Sequence, residues 1–210
     1  MSNPTFSVII PAYNSSRFIR KGLDSIRSQT FTDYELIVVC DSCGDSTEQI
    51  AKEYGAITDN VTFGLDGLTR DHGIAMATGD YVLFMDDDDW FLHEYCFQQL
   101  ADKLHGQDLD MLAFGYIWKD KGYFSPTEEN IFQPTVGHVW ANAWCRTAIG
   151  DAHFGNARFS SDTYFLKAMK QNVKTHMIWD MPIYYYNFMR HNSQTDLFCK
   201  GLLRQSPIAK

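Results

Sequence analysis

Short apolar runs, each halted by a polar cluster and followed by an amphipathic stretch, recur along the first half of the chain. "FSVII" stops at Pro11 and has the length and branching of a strand buried on both faces. After "AYNSS", Ile19, Leu23 and Ile26 fall at i, i+4 and i+7, which predicts a helix capped by Asn14 or Ser15. "YELIVVC" predicts the next strand. "DSCGDSTEQIAKEYG" turns into a second helix, with Asp45 and Glu48 at capping-box spacing, a core face of Thr47, Ile50, Ala51 and Tyr54, and Gly55 as its stop. "NVTF" suits a short strand, Arg70 to Thr78 a helix closed by Gly79, "YVLFM" a strand and Glu94 to Leu104 a helix.

The second half is less regular. "LDMLAFGYIW" predicts a strand and "HVWANAW" a helix start or loop. "SSDTYFLKAMKQ" predicts a helix with Phe165, Ala168 and Met169 facing inward, and "MPIYYYNFM" another strand. No internal repeat or low-complexity tract appears. The expected fold is α/β, a mostly parallel sheet with helices on both faces and a smaller mixed region. Ligands of such sheets bind at the carboxyl ends of the strands. There this chain places "PAYN", "CDSCGDS" and "DDDDW".

Composition narrows the functions. The 210 residues carry a net charge of -8 and no basic run, which argues against a nucleic-acid groove and against electrostatic binding to an anionic membrane. Five scattered cysteines suit reduced thiols in a cytoplasmic protein. The Cys40/Cys43 C-x-x-C lacks a second pair to complete a zinc set, so two small loop residues is the simpler reading. Neither a signal peptide nor a membrane-spanning run is expected.

The stretch "YVLFMDDDDW" carries the most chemical information. Two carboxylates about 5 Å apart repel by roughly 3 kcal/mol at an effective dielectric near 20, so four in a row at a strand end are costly. A divalent cation removes that penalty, and hard oxygens without nearby His or Cys suit Mg²⁺ or Mn²⁺. Alternation along extended backbone sets Asp86 and Asp88 on one side, with Asp87 and Asp89 on the other or in the following turn. A solvated acidic turn capping the next helix is the plain alternative, and Asp89 is expected to serve as that cap while Asp86 to Asp88 do chemistry. An aspartate-nucleophile phosphatase also opens with an apolar strand and D-x-D, but wants a nearby Thr where this chain has Trp90.

Four segments in order resemble a family 2 glycosyltransferase of the GT-A, nucleotide-diphospho-sugar transferase fold. "FSVIIPAYN" and "YELIVVCDSCGDST" resemble the family's opening, and "LTRDHGIAMATGDYVLFMDDDDW" resembles its A-R-N and D-x-D segments. "SSDTYF" and "YYYNFMRHNSQT" match more weakly. The resemblance implies a nucleotide-sugar-binding half over 1–105 and an acceptor-binding, catalytic-base half over 106–210 of one domain. It implies that Pro11, Ala12 and Tyr13 line the base site, that Asp41 accepts a base N–H, and that Arg70 lies near the base or the diphosphate; Arg190, in a polar segment after a predicted strand, is either a diphosphate contact or part of a solvent-facing loop. Asp86 and Asp87 would touch the nucleotide sugar, and Asp86 and Asp88 would hold Mn²⁺ or Mg²⁺; His191, beside Arg190, is either a metal or phosphate contact or a solvent-facing loop residue. Asp162 would be the catalytic base.

The implied function is metal-dependent, inverting transfer of a sugar, UDP-linked by expectation, to a saccharide or lipid-linked saccharide acceptor in cell-surface polysaccharide or glycolipid synthesis. Peripheral contact with the inner membrane face would follow from such an acceptor, and no nucleic-acid partner is expected. Four departures stand out: Cys40 for an aspartate, Ser42-Cys43 for Gly-Ser, Asp71 for an asparagine and Ser161 for the glutamate before the base. They keep a second class open, a non-catalytic nucleotide-sugar-binding module. A nucleotidyltransferase of similar fold would want a Gly-rich basic loop, and "PAYNSSRF" has no glycine. His72 and His138 are candidates to approach substrate. Trp140 and Trp144 are either an acceptor platform or core.

Overall fold

A computed structural model describes residues 3–133, 138–157 and 161–187. Its elements are β1 (Phe6–Ala12), α1 (Ile19–Arg27), β2 (Tyr34–Asp41), α2 (Thr47–Glu53), β3 (Ile57–Val61), α3 (Asp66–Met76), β4 (Tyr81–Phe84), β5 (Trp90–Phe91) and α4 (Cys96–Leu104). Then follow β6 (Met111–Trp118), β7 (Gly122–Phe124), a 3₁₀ turn (Val139–Ala141), β8 (Asn142–Cys145), α5 (Arg146–Ile149), α6 (Ser161–Asn172) and β9 (His176–Tyr186).

The strands form one sheet in the order β3-β2-β1-β4-β8-β6-β9-β5, with β7 on β6. The β3-β2-β1-β4 pairings are all parallel. Beyond β4 the sheet is mixed, antiparallel at β4–β8, β6–β8 and β5–β9 and parallel at β6–β9. Every residue of β1 is buried, so alternate side chains meet cover on both faces. On one face α3 lies close: a Cβ at Gly73 would collide with Ile9 Cγ2. Phe84, Trp144, Phe154 and Phe165 stack or meet edge-on at 4.3–5.7 Å, tying β4 and β8 to α6. Burying each such ring stabilises the fold by about 1.5–3 kcal/mol.

Several expectations need correction. "HVWANAW" forms the 3₁₀ turn and strand β8; Val139 to Trp144 is buried throughout, and a doubly buried strand shows no alternation to reveal it. Helix α3 starts four residues before Arg70. Helix α1 begins at Ile19 without a side-chain cap; Asn14 instead turns left-handed (φ 47°) and accepts the Gly44 N–H at 2.8 Å. Asp45 forms no capping box: it receives N–H groups from Ser16 (3.1 Å) and Thr47 (3.0 Å), while Glu48 pairs with Lys52. The strand predicted over 181–189 begins at His176, and a register shift at Gly115–Pro182 bends it.

Candidate active site

The strand order 3-2-1-4 makes the carboxyl ends of β1 and β4 a topological switch point, where α/β sheets open a crevice. The β1–β4 ladder ends at Ile9↔Phe84, with Met85 N–H on the Ile9 carbonyl at 3.0 Å, whereas β1–β2 pairing runs on to Ala12↔Cys40. Pro11, which has no N–H to give, follows the end of the β4 ladder. Past that point the chain delivers Tyr13, 59% exposed, on one side and Asp86 to Asp89 on the other. The Tyr13 N–H reaches the Asp87 carboxylate at 3.4 Å and links the two sides.

The four aspartates fare differently. Asp86 to Asp88 are partly exposed, but Asp89 is fully buried. It is not a helix cap, for α4 begins only at Cys96. Its oxygens take the Tyr184 hydroxyl at 2.7 Å and the Asn187 N–H at 2.7 Å, and the Tyr184 hydroxyl also receives the Asp86 N–H at 3.2 Å. Burial pushes the Asp89 carboxyl well above the usual range, and the charges of Asp86 and Asp88 add to the rise. Asp89 and Tyr184 thus pin the acidic loop to β9.

Arg70 joins the loop to two helices. Its side chain is almost wholly buried; Nη2 lies 2.5 Å from Asp86 Oδ1, and Nη1 pairs with Asp66 one helical turn earlier. Burial works against its charge, but Asp86 and Asp162 more than offset that and hold the guanidinium firmly protonated. Asp162 sits in the first turn of α6. Burial raises its carboxyl above the usual range; Arg70 opposes the rise and Asp86 adds to it. Ser161 donates its hydroxyl to Asp66 at 3.3 Å. Asp86, Arg70, Asp66 and Asp162, from three separate stretches of sequence, therefore share one electrostatic cluster.

The end of β2 closes the other wall. Asp41 is buried, and four donors fill its carboxylate: Gly64 N–H and Ser42 Oγ on Oδ1, Leu65 N–H and Thr69 Oγ1 on Oδ2, at 3.0–3.1 Å. It anchors the turn into α3. Cys40 is wholly buried, and Cys43 donates its thiol to the Ala12 carbonyl at 3.4 Å. Ser42 stands at φ 58°, the left-handed region that glycine adopts without strain. Asp71 receives the Phe154 and Gly155 N–H groups at 2.8 and 3.1 Å, so its charge braces the turn ahead of α6.

The glycosyl transferase family 2 model matches residues 7–166, well over half of the chain. The chain belongs to glycosyl transferase family 2. It is 38% identical over 119 residues to the amylovoran biosynthesis glycosyltransferase AmsB of Erwinia amylovora, covering 51% of this chain and 39% of that one. The chain spans under half the length of the curated relatives it matches. Staphylococcus aureus TarS 1–349 in complex with UDP-GlcNAc superposes with a TM-score of 0.81 at 22% identity, covering 91% of this chain and 60% of that one. The mannosyltransferase PcManGT of Pyrobaculum calidifontis, in complex with GDP-Man and Mn²⁺, gives 0.68 at 14% identity, covering 99% and 67%. These likenesses establish the GT-A fold.

The remaining candidates of this family 2 chain separate cleanly. Trp140 and Trp144 are 3% and 0% exposed, so they are core and not a platform. His72 pairs with Asp59 at 2.7 Å at the β3–α3 edge. His138 stacks on Trp140 at 4.4 Å, its Nε2 has no partner among the described residues, and burial pulls its pKa down to about 4. Arg190 and His191 lie outside the described residues. Asp66, Asp89, Tyr184 and Ser161 were missed as site-forming residues. The hydroxyl and carboxylate of Asp89 and Tyr184 meet across 95 positions, a contact no local pattern announces.

Among the described residues, no three His, Cys, Asp or Glu side chains form a cluster able to hold a metal ion alone. A Mg²⁺-type site needs only one or two carboxylates, which share the cation with substrate phosphates and water; Asp86 and Asp88, both partly exposed, are the loop carboxylates that could serve in one. No helix among the described residues is long and apolar enough to cross a membrane.

Proposed function

We propose that the chain is the catalytic part of a metal-dependent, inverting glycosyltransferase that uses a nucleotide sugar, UDP-linked in our reading. The observation that carries this is the cluster of Asp86, Arg70 and Asp162 at the switch-point crevice. Tyr13 stacks its exposed ring on the base beside Pro11 and Ala12. Asp41 takes the base N–H by releasing the exposed Ser42 hydroxyl and keeps its hold on residues 64–65. Asp87 contacts the nucleotide sugar, and Arg190 contacts the diphosphate together with Arg70. Asp86, Asp88 and His191 would hold Mn²⁺ or Mg²⁺, which would supply charge neutralisation for the diphosphate.

Asp162 removes the proton of the acceptor hydroxyl, which attacks the anomeric carbon opposite the leaving nucleotide. A single displacement inverts the anomeric configuration, through an oxocarbenium-like transition state as in glycoside hydrolysis. Residues 1–105 serve the donor, and residues 106–210 the acceptor and the base. Similar proteins support the substrate class: AmsB acts in amylovoran biosynthesis, and TarS and PcManGT bind UDP-GlcNAc and GDP-Man. A saccharide or lipid-linked saccharide is the acceptor in this reading, met at the inner membrane face by a cytoplasmic chain.

The test is a transfer assay over UDP-sugar donors and saccharide acceptors with Mn²⁺ or Mg²⁺, run beside Asp162→Asn. Transfer by the native chain, abolished in the variant, supports the proposal; equal turnover by both removes Asp162 from the mechanism. The second reading, a nucleotide-sugar-binding module without turnover, draws on the fully occupied Asp41 carboxylate. Tight, cation-dependent UDP binding with no transfer to any acceptor would favour it.

A further inference from the structure

Asp66 lies on no family motif, yet it holds Arg70 from the same helix and receives the Ser161 hydroxyl. We propose that Asp66 is a positioning residue: by occupying one end of the Arg70 guanidinium, it prevents Arg70 from capturing both oxygens of Asp86 and so keeps one of them available to a divalent cation. The proposal rests on the reading of Asp86 as a cation ligand given above.

The geometry is a guanidinium divided between two carboxylates. Nη1 serves Asp66, Nη2 serves Asp86 Oδ1, and Nε has no partner among the described residues. A guanidinium fork prefers to bind a carboxylate with two parallel N–H groups, and a nearly dry site strengthens that preference. Without Asp66, Asp86 is the carboxylate left in contact with Arg70, and two-point capture of Asp86 follows. An Asp86 held at both oxygens competes poorly for a hard cation.

The neighbouring helix offers a way to move the charge. Ser161 Oγ is 3.3 Å from the Asp66 oxygen that also faces Arg70. The first turn of α3 lies against the start of α6, where a Cβ at Gly67 would sit 3.0 Å from the Ser161 Cβ. A glutamate at position 161 is long enough to reach Arg70 from α6 and replace the acid lost from α3.

The test compares the native chain with Asp66→Ser and with Asp66→Ser/Ser161→Glu. Its readouts are the Mn²⁺ concentration that half-saturates UDP binding, measured by calorimetry, and the melting temperature. We expect Asp66→Ser to raise that Mn²⁺ concentration at least about tenfold, the equivalent of roughly 1.4 kcal/mol. The double variant should return to within about threefold of native. A purely structural Asp66 would lower the melting temperature and leave the Mn²⁺ requirement of the folded protein unchanged. That result overturns the proposal, as does a folded double variant that fails to recover. Should Asp66→Ser not fold, the double variant decides: native-like Mn²⁺ dependence supports the proposal, and weak binding or failure to fold overturns it. A native chain that binds no UDP with Mn²⁺ would instead sink the reading of the site itself.

Discussion

The two flanks of β4 are built on different rules. On one side, β3, β2 and β1 run parallel, and past their carboxyl ends lie Tyr13, exposed at the crevice, and Asp41, buried beneath four donors. On the other, β8, β6, β9 and β5 run in mixed directions, and what they bring to the crevice is mainly support: Tyr184 and Asn187 under Asp89, and Trp140 stacked on Tyr184 at 4.7 Å. The proposed chemistry sits on the loop between the flanks and on α3 and α6. A regular flank can therefore present a common donor fragment, while an irregular one can change without disturbing it.

The largest effect that would sharpen this division concerns Asp162. Asp162→Asn should lower kcat by about 10²–10⁴-fold and leave Mn²⁺-dependent UDP affinity within about threefold, because the proposed function assigns the base to the irregular flank's helix and the nucleotide to the regular flank. Equal losses in both measurements would break the division. Next comes Phe165→Ala, which should cost about 3–5 kcal/mol in denaturant unfolding, since its ring ties α6 to β4 and β8 in one cooperative core. A loss below about 1 kcal/mol would mean that α6 is only loosely attached.

Smaller effects probe the regular flank alone. Ser42→Gly should stabilise the protein by up to about 1 kcal/mol, because it relieves a left-handed backbone at φ 58°; destabilisation would show that the Ser42–Asp41 hydrogen bond matters more. Asp45 is held down to about 2 by its hydrogen bonds with Ser16 and Thr47, against the opposing effect of burial. Its folded value is below the unfolded one, so its contribution is present above about pH 3.9 and lost as pH falls toward 2. Melting curves of Asp45→Ala and native protein should therefore differ at pH 6 and converge at pH 2. A gap that widens on acidification would contradict the assignment.

Much of the regular flank was legible in the residues. Runs such as "FSVII" and "YELIVVC" are buried on both faces, and turn residues delimit them, so each strand announces itself. The acidic loop was legible because four adjacent carboxylates are costly without a counter-charge. The irregular flank was not: β5 has two residues, β7 three, and β8 is a buried strand without alternation. Asp66 was hidden because glycines 64 and 67 make the start of α3 look like loop. Asp89 was misread as a cap because its partner arrives from β9, nearly a hundred residues on. Such contacts belong to tertiary packing, which local spacing does not encode.

The central claim is that the acidic loop holds a divalent cation against a nucleotide diphosphate. Calorimetric titration of UDP into the native chain, with Mn²⁺ and with chelator, tests it most directly when repeated on Asp86→Ala and Asp88→Ala. The account predicts binding by the native chain that requires Mn²⁺, and a loss of at least about tenfold in each variant. UDP binding that is indifferent to Mn²⁺, or undiminished in both variants, would contradict it.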